Sequence, residues 1–196
     1  VDLLQAPLGQ VDARAGAAAA ACIRHAVRLA PRGEVGAIVT APIHKEALAA
    51  AGVGFPGHTE MLQSLAWPGQ APRPVRMMLA NEQLRTVLVT IHMALREAIA
   101  AVTFDAVLET IQIAHRAAAS WGQPAPRIAV AGLNPHAGEG GLFGDEEINL
   151  IGPAVQAARS QGIDAQGPFA PDTVFMRARN APGHAVWKRD FTGASG

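Results

Sequence analysis

The sequence has little of what marks several large protein classes. A single cysteine, Cys22, excludes a disulfide framework and a thiolate metal cluster. The 16 basic and 16 acidic residues cancel and form no basic block, so a nucleic-acid or membrane-surface partner has no electrostatic support. No apolar run approaches the ~18 residues of a membrane helix, and no signal peptide is visible. We therefore expect a cytoplasmic protein without nucleic-acid or membrane partners.

What is present is the composition of a folded core. Hydrophobic residues make up 49% of the 196 residues and charged residues only 16%. Helix and strand patterns alternate, which predicts a layered α/β fold. The expected helices are 12–30 with Asp12 as N-cap, 45–51, 59–67, 95–120 with a further N-cap at Thr103, and 145–161. The expected strands are 35–42, a hairpin of 75–80 and 85–92, and 127–133, with a turn at 162–168.

Histidines follow the predicted strands closely. His44, His92 and His136 each come just after the apolar part of a strand, and His58 follows a Pro-Gly turn. Ligands of open α/β sheets bind beyond the carboxyl ends of strands, and imidazole is a common ligand of divalent metals. A single histidine of this kind is more often a hydrogen-bonded loop residue, and the wide spacing is weak support for a metal. Both interpretations stay open on this pattern alone.

The segment after the strand 127–133 is rich in glycine. Five glycines lie between Gly132 and Gly144, around His136. Glycine permits sharp bends and close approach, so we expect this backbone to come near a ligand held by His136. The acids at 145–147 are expected to begin a helix, where negative charge is favourable, rather than to take part in catalysis.

Five motifs carry the most specific signal. They are TAPIHK at 40–45, PGHTE at 56–60, TIHMALRE at 90–97, LNPHAGEGG followed by DEE within 133–147, and GPFAPDTVF at 167–175. In this order they resemble the 4-hydroxythreonine-4-phosphate dehydrogenase family of vitamin B6 biosynthesis, which includes relatives acting on phosphorylated threonate or erythronate. The resemblance covers about residues 1–178, and the Leu-Asn-Pro-His-Ala-Gly-Glu stretch is its most specific part.

The resemblance implies a layered sheet with helices on both faces, like isocitrate and isopropylmalate dehydrogenases, in a homodimer with a shared active site. It implies NAD(P)-dependent, decarboxylating oxidation of a small phosphorylated substrate, 4-phosphohydroxy-L-threonine, assisted by a divalent metal (Zn, Co or Mg). His92 and His136 match metal ligands, and His58 and Thr59 match a substrate-binding pair in which the helix N-terminus attracts phosphate. Further candidates for substrate contact or support of the ligands are Lys45, Asn134, Glu139 and Asp172.

The sequence also departs from the family pattern. A Gly-Asp-Pro loop expected near the start is absent, and the third metal-ligand histidine, expected after Arg179, has no match at His184. We therefore expect residues 1–178 to be the central part of an incomplete dehydrogenase fold, 179–196 to be irregular, and the chain alone to be inactive. The alternatives are a non-catalytic remnant of the family, or a relative acting on 4-phospho-threonate, 4-phospho-erythronate or a dihydrodiol.

Overall fold

The structure is a computed structural model that describes Pro7, residues 9–71 and 73–179, and the backbone of residues 184–187. The chain divides into two compact units, Val1–Val75 and Arg76–Gly196. That residues 1–178 form the central part of a dehydrogenase fold stays a prediction. The sequence showed no clear sign of the division into two units. Its physical basis is that each unit has a hydrophobic core of its own.

The first unit is built on one long helix. Helix α1 (Ala13–Leu29) begins as predicted at Asp12, whose side chain accepts the backbone N–H of Arg14. A 3₁₀ turn, Ala30–Arg32, then ends the helix at Gly33. α1 buries a single face, because its buried residues recur at intervals of three or four. These residues are Gly16, Ala20, Ile23 and Val27.

Two shorter helices pack on this face, α2 (Lys45–Ala50) and α3 (His58–Ala66), both close to their predicted bounds. Each contributes one fully buried side chain to the core, Leu48 from α2 and Met61 from α3. The contact with α2 depends on Gly16, since a Cβ there would overlap the carbonyl of Ala47. α1 and α2 are therefore in backbone-to-backbone contact.

Residues 35–42, predicted as a buried strand, form no strand. Ile38 packs against the core, but Val39 is 94% exposed. A strand requires hydrogen bonds to a neighbouring strand. The described residues of the first unit contain no strand that could act as this partner. The prediction is therefore wrong, because an apolar run indicates a strand without showing what it pairs with.

The second unit contains a five-stranded sheet. Its strands are β1 (Met78–Ala80), β2 (Arg85–Val87), β3 (Arg127–Ala131), β4 (Ala165–Phe169) and β5 (His184–Trp187). Their order in the sheet is β1-β2-β5-β3-β4. β1 and β2 form the predicted antiparallel hairpin, although both strands are shorter than expected. All other neighbours pair in parallel.

Four helices accompany this sheet: α4 (Leu95–Ala101), α5 (Phe104–Ala118), α6 (Gly152–Ser160) and α7 (Pro171–Arg179). α5 begins at the predicted cap Thr103, whose hydroxyl accepts the N–H of Ala106 at 3.1 Å. None of the described helices is long and apolar enough by itself to cross a membrane. Leu95–Ala101 and Phe104–Trp121 reach that length and composition only together, with an 82° bend between them.

The central strand β3 shows that helices cover both faces of the sheet. Ile128 and Val130 lie in the cluster that includes buried residues of α5 and α6. Ala129, between them, lies in a separate cluster with Val174 and Ala178 of α7. Because successive strand residues point to opposite faces, the two clusters lie on opposite sides of the sheet. The predicted layered α/β fold is confirmed.

Two strands were not expected from the sequence. β4 replaces part of the predicted turn at 162–168, and β5 lies in the tail that was predicted to be irregular. β5 pairs with β2 on one side and β3 on the other. Its four residues are ordered by hydrogen bonds to distant parts of the chain, which a local pattern does not reveal. The remaining tail residues, 180–183 and 188–196, lie outside the described residues.

Candidate functional site

The loop after β3 contains a turn of left-handed backbone. Five consecutive residues, 136–140, have φ between 42° and 76°. Three of them carry a Cβ: His136, Ala137 and Glu139. Left-handed backbone costs such residues ~1–2 kcal/mol each, so surrounding contacts have to hold the turn in place.

A buried carboxylate provides those contacts. The Glu147 side chain is almost fully enclosed, with 4% of the residue exposed. Its Oε1 accepts the backbone N–H groups of Leu133 at 2.6 Å and Asn134 at 2.7 Å. Its Oε2 accepts the Asn134 Nδ2 amide at 2.9 Å, and the same amide donates to Glu146 Oε2 at 2.6 Å. These charge-assisted hydrogen bonds offset the burial of the charge and fix the start of the loop.

The glycines of the loop make room for this network. A Cβ at Gly132 would lie 2.9 Å from Glu147 Oε1, and one at Gly138 would lie 2.8 Å from Oε2. At Gly144 it would lie 2.5 Å from the Asn134 amide nitrogen. The close approach predicted at these three positions is therefore to the loop's own polar groups. At Gly140, by contrast, nothing described lies within 4 Å of a Cβ.

The sequence did not identify this role of Glu147. The acids at 145–147 were predicted to begin a helix, and helical structure does begin there, with a π-helical segment Glu147–Ile151 that leads into α6. The Gly152 N–H bonds to the Glu147 carbonyl five residues earlier. Pro153 favours this widened turn, because its ring removes an N–H and would crowd the carbonyl four residues before it. One signal in the sequence could have shown that Glu147 is buried. It lies at helical spacing from apolar residues of the buried helix face, which are Ile151, Ala154, Val155 and Ala158.

The structure brings together two of the predicted site residues, His136 and Asp172. The His136 Nδ1 lies 3.9 Å from Asp172 Oδ2, and the two side chains are 61% and 56% exposed. That distance exceeds hydrogen-bonding range, and an exposed pair contributes little to stability. The His136 ring also lies beside Phe143, with 6.2 Å between ring centroids. The imidazole is thus accessible, with an acid near one nitrogen.

Two further candidates in this unit, His92 and Glu139, are also exposed, whereas Asn134 is half-buried. His92 has a φ of 50° and lies beyond the end of β2, because that strand stops at Val87 and not near residue 92 as predicted. Within the described ranges, no group of three or more His, Cys, Asp or Glu residues is placed to hold a metal ion. The ligand pair His92 and His136 therefore stays a prediction.

The first unit holds the remaining candidates. His58 and the exposed Thr59 open α3, where the N-cap Gly57 makes no side-chain hydrogen bond. His58 also borders a cleft of about 410 Å³ lined mainly by apolar residues. Lys45 is exposed at the first position of α2. Its neighbour His44 caps that helix by accepting the Ala47 N–H at 3.4 Å, which is the ordinary loop role.

Comparison with known proteins decides the family. The model for "Pyridoxal phosphate biosynthetic protein PdxA" matches residues 1–187. The chain belongs to the PdxA family. The match extends beyond the 178 residues over which the sequence motifs suggested it, and so includes β5.

The relatives of this PdxA-family chain are longer than the chain itself. A 4-hydroxythreonine-4-phosphate dehydrogenase of Beijerinckia indica is 59% identical over 172 residues, which cover 88% of this chain and 50% of that protein. A D-threonate 4-phosphate dehydrogenase of Pectobacterium atrosepticum is 47% identical, with 87% and 51% covered. The crystal structure of the 4-hydroxythreonine-4-phosphate dehydrogenase from Klebsiella pneumoniae aligns with a TM-score of 0.85 at 45% identity, covering 91% and 53%. The chain spans about half the length of the curated relatives it matches.

The candidate residues of the PdxA-family chain thus fall into two groups. Lys45, His58 and Thr59 belong to the first unit, around the N-termini of α2 and α3. The second unit contributes the candidate residues that follow β2 and β3 in the chain and one residue at the start of α7. These residues are His92, Asn134, His136, Glu139 and Asp172.

Proposed function

We propose that the protein is an NAD(P)-dependent, metal-assisted dehydrogenase that oxidises 4-phosphohydroxy-L-threonine in pyridoxal phosphate biosynthesis. The alcohol carbon loses a hydride to the nicotinamide and its hydroxyl loses a proton, giving a β-keto acid that releases carbon dioxide. The observation that carries the proposal is the family match over residues 1–187, which spans both β2 and β3 and the residues beyond them. A cytoplasmic homodimer with a shared active site is part of the proposal.

His92 and His136 would hold the divalent metal, Zn, Co or Mg. Both imidazoles are exposed, and Asp172 lies on the Nδ1 side of His136, which leaves its Nε2 for a ligand. A carboxylate that accepts a hydrogen bond from the second ring nitrogen orients a ligating histidine and raises its basicity, and Asp172 would do so if the 3.9 Å separation shortened on metal binding. When bound, the metal would lower the pKa of the substrate alcohol and polarise the carbonyl that forms from it.

His58 and Thr59 would bind the substrate phosphate. They occupy the first turn of α3, whose N-cap is a glycine without a capping side chain. Free N–H groups and the helix dipole attract an anion at such a position, and the Thr59 hydroxyl adds a donor. A phosphate affinity that is the same in Thr59→Val as in the parent would contradict this assignment.

The remaining candidates are assigned to substrate contact. Lys45 and Glu139 are exposed charged side chains that can meet groups of opposite charge or hydroxyls. Asn134 donates through Nδ2 to Glu146 and Glu147, so its Oδ1 is the atom available to accept a substrate hydroxyl. We assign no residue of this chain to the nicotinamide. Substrate KM values test these three assignments when the alanine changes are made in a chimera of this chain with the remaining parts of a longer relative, and an unchanged KM would reject a residue.

The decisive experiment is a titration of the purified chain with Co²⁺ or Zn²⁺. We expect His92→Ala and His136→Ala each to weaken binding by about tenfold or more, the scale seen when groups that support a metal site are removed. His25→Ala is the matched control, because His25 is an exposed histidine of α1 in the other unit. Equal affinity in the parent and in His136→Ala would reject the metal assignment.

Catalysis itself is measured by NADH absorbance with 4-phosphohydroxy-L-threonine and added metal. Two proteins are assayed, the chain alone and a chimera that joins it to the parts of the Beijerinckia indica relative outside the match. We expect the chimera to form NADH and to lose this activity with His136→Ala. A chimera that binds metal without turnover would favour the non-catalytic alternative.

A second substrate is favoured by a specific observation. The Pectobacterium atrosepticum relative, 47% identical, is a D-threonate 4-phosphate dehydrogenase. The two substrates share a phosphate at one end and a secondary alcohol, so the same groups would bind both. A higher kcat/KM of the chimera with D-threonate 4-phosphate would transfer the assignment to that substrate.

A further inference from the structure

We propose that Glu147 is a positioning residue for His136: its buried carboxylate fixes the left-handed turn and thereby sets the direction of the imidazole. The proposal rests on the proposed function, because His136 is there assigned as a metal ligand. Glu147 does not touch substrate or metal in this assignment. It acts through the backbone of Leu133 and Asn134, just before the turn.

The left-handed backbone of residues 136–140 has to be stabilised by contacts with residues outside the turn. Residues 136–140 are all left-handed, and His136 itself has φ 54° and ψ 25°. Because His136 has a Cβ, the right-handed alternative is lower in energy for the isolated segment. Local hydrogen bonds hold the far end, where Phe143 donates to the Gly138 carbonyl at 3.1 Å. At the near end, the hydrogen bonds to Glu147 oppose relaxation of the chain.

The hydrogen-bond pattern explains why this residue is a glutamate and not a glutamine. Three N–H groups point at the two carboxylate oxygens. A glutamine has only one acceptor oxygen, so its own amide would face the Asn134 amide as donor against donor. The Asn134 amide cannot simply turn over, since it also donates to Glu146. Gly132 and Gly138 lie against the carboxylate, since a Cβ at either position would come within 3 Å of one of its oxygens.

A merely structural role and a positioning role make different predictions. If Glu147 only stabilises the fold, its replacement lowers the free energy of unfolding but leaves metal affinity unchanged in protein that is still folded. If it positions His136, the affinity falls in the folded protein as well. Exchange of residues that orient a metal ligand typically costs about 10–100-fold in affinity.

The test compares three variants in the full chain. Glu147→Gln removes one acceptor at nearly constant shape. The triple variant Asn134→Asp, Glu146→Gln, Glu147→Gln reverses donor and acceptor at both side-chain contacts and so restores the network. Asp145→Asn is the control, because the adjacent Asp145 is exposed and its side chain bonds to Asn149 at the surface.

Co²⁺ affinity, the visible Co²⁺ spectrum and the ¹⁵N side-chain signals of histidine are measured in samples whose circular dichroism is that of the parent. We expect Glu147→Gln to bind Co²⁺ about 10–100-fold more weakly and to shift the His136 signal. The triple variant should recover both, and Asp145→Asn should change neither. If Glu147→Gln does not fold, Asn134→Ala, which removes the side-chain amide but keeps the backbone donors to Glu147, is expected to show the same loss of Co²⁺ affinity without substrate present.

The failures are distinguishable. Parental Co²⁺ affinity and an unshifted His136 signal in Glu147→Gln, while His136→Ala loses the metal, would overturn the positioning role and leave the proposed function intact. If His136→Ala keeps the metal, the proposed metal site fails instead. The His136 signal then decides the positioning role alone: a shift in Glu147→Gln supports it and no shift overturns it.

Discussion

Gly138 and Gly140 have nearly the same backbone conformation in different surroundings. Their φ angles are 76° and 68°, both left-handed. A Cβ at Gly138 would lie 2.8 Å from Glu147 Oε2 and 2.9 Å from the Gly144 carbonyl oxygen, whereas a Cβ at Gly140 would meet nothing within 4 Å. The pair therefore separates backbone strain from crowding against the buried carboxylate.

We expect Gly140→Ala to lower the free energy of unfolding by about 1–2 kcal/mol, the cost of left-handed backbone for a residue with a Cβ. Gly138→Ala adds crowding to that strain and should cost about 3 kcal/mol. Urea denaturation followed by circular dichroism measures both. Equal losses would show that both the Glu147 carboxylate and the Gly144 carbonyl can move away from an added methyl group.

The sequence predicted the candidate metal ligand His136 but not the buried Glu147 that holds its loop. His136 was found because it lies a few residues beyond an apolar strand, in a specific motif. Glu147 was missed because its function is a contact with Leu133, 14 residues away, that depends on the path of the loop. His44 shows the converse, since it shares the strand-end pattern but caps a helix.

At the scale of single elements, the start of α1 is the clearest electrostatic feature. Asp12 caps the helix and accepts hydrogen bonds from the Arg14 guanidinium, at 2.7 Å from Nη2, and from the Arg14 backbone N–H. These bonds favour the carboxylate and lower the pKa of Asp12 from 3.8 to about 2. Stability from the charged cap is therefore complete above the unfolded pKa of 3.8 and is lost as the pH falls towards about 2.

We expect Asp12→Asn to be less stable than the parent at pH 5, with a difference that shrinks as the pH falls through about 2, the folded-state pKa at which Asp12 loses its charge. Asparagine is itself a good N-cap, so the difference isolates the charge and its pairing with Arg14. Thermal unfolding at several pH values measures it. Asp105→Asn, an exposed acid in the first turn of α5, should not reproduce this pH dependence. A difference that is independent of pH would contradict the assignment.

Helices could be predicted better than strands in this chain. α1 and α5 begin at their predicted caps because a cap and an apolar face are properties of the local sequence. The segment 35–42, β4 and β5 were misassigned because a strand is defined by its neighbour, which lies elsewhere in the chain. β5 is the extreme case, since its partners β2 and β3 lie far earlier in the sequence.

At the scale of the whole molecule, the chain consists of two units with separate cores. The layered α/β architecture was predictable because helices and strands alternate along the sequence. The boundary was not, because no change in composition marks Val75 and Arg76. Separate cores imply that a change at the centre of one unit acts first on that unit.

Gly16 tests that independence. Because a Cβ at Gly16 would overlap the Ala47 carbonyl, Gly16→Ala must push α1 and α2 apart and loosen the core of the first unit. We expect hydrogen exchange, followed by mass spectrometry, to accelerate at least tenfold in α2 and α3, since ~1.4 kcal/mol of local destabilisation is a factor of ten. α5, in the second unit, should exchange as in the parent.

Gly36→Ala is the matched control, because nothing lies within 4 Å of a Cβ there and the backbone is not left-handed. Equal acceleration in α2 and α5 would mean that the two cores open as one cooperative structure, despite the division between them.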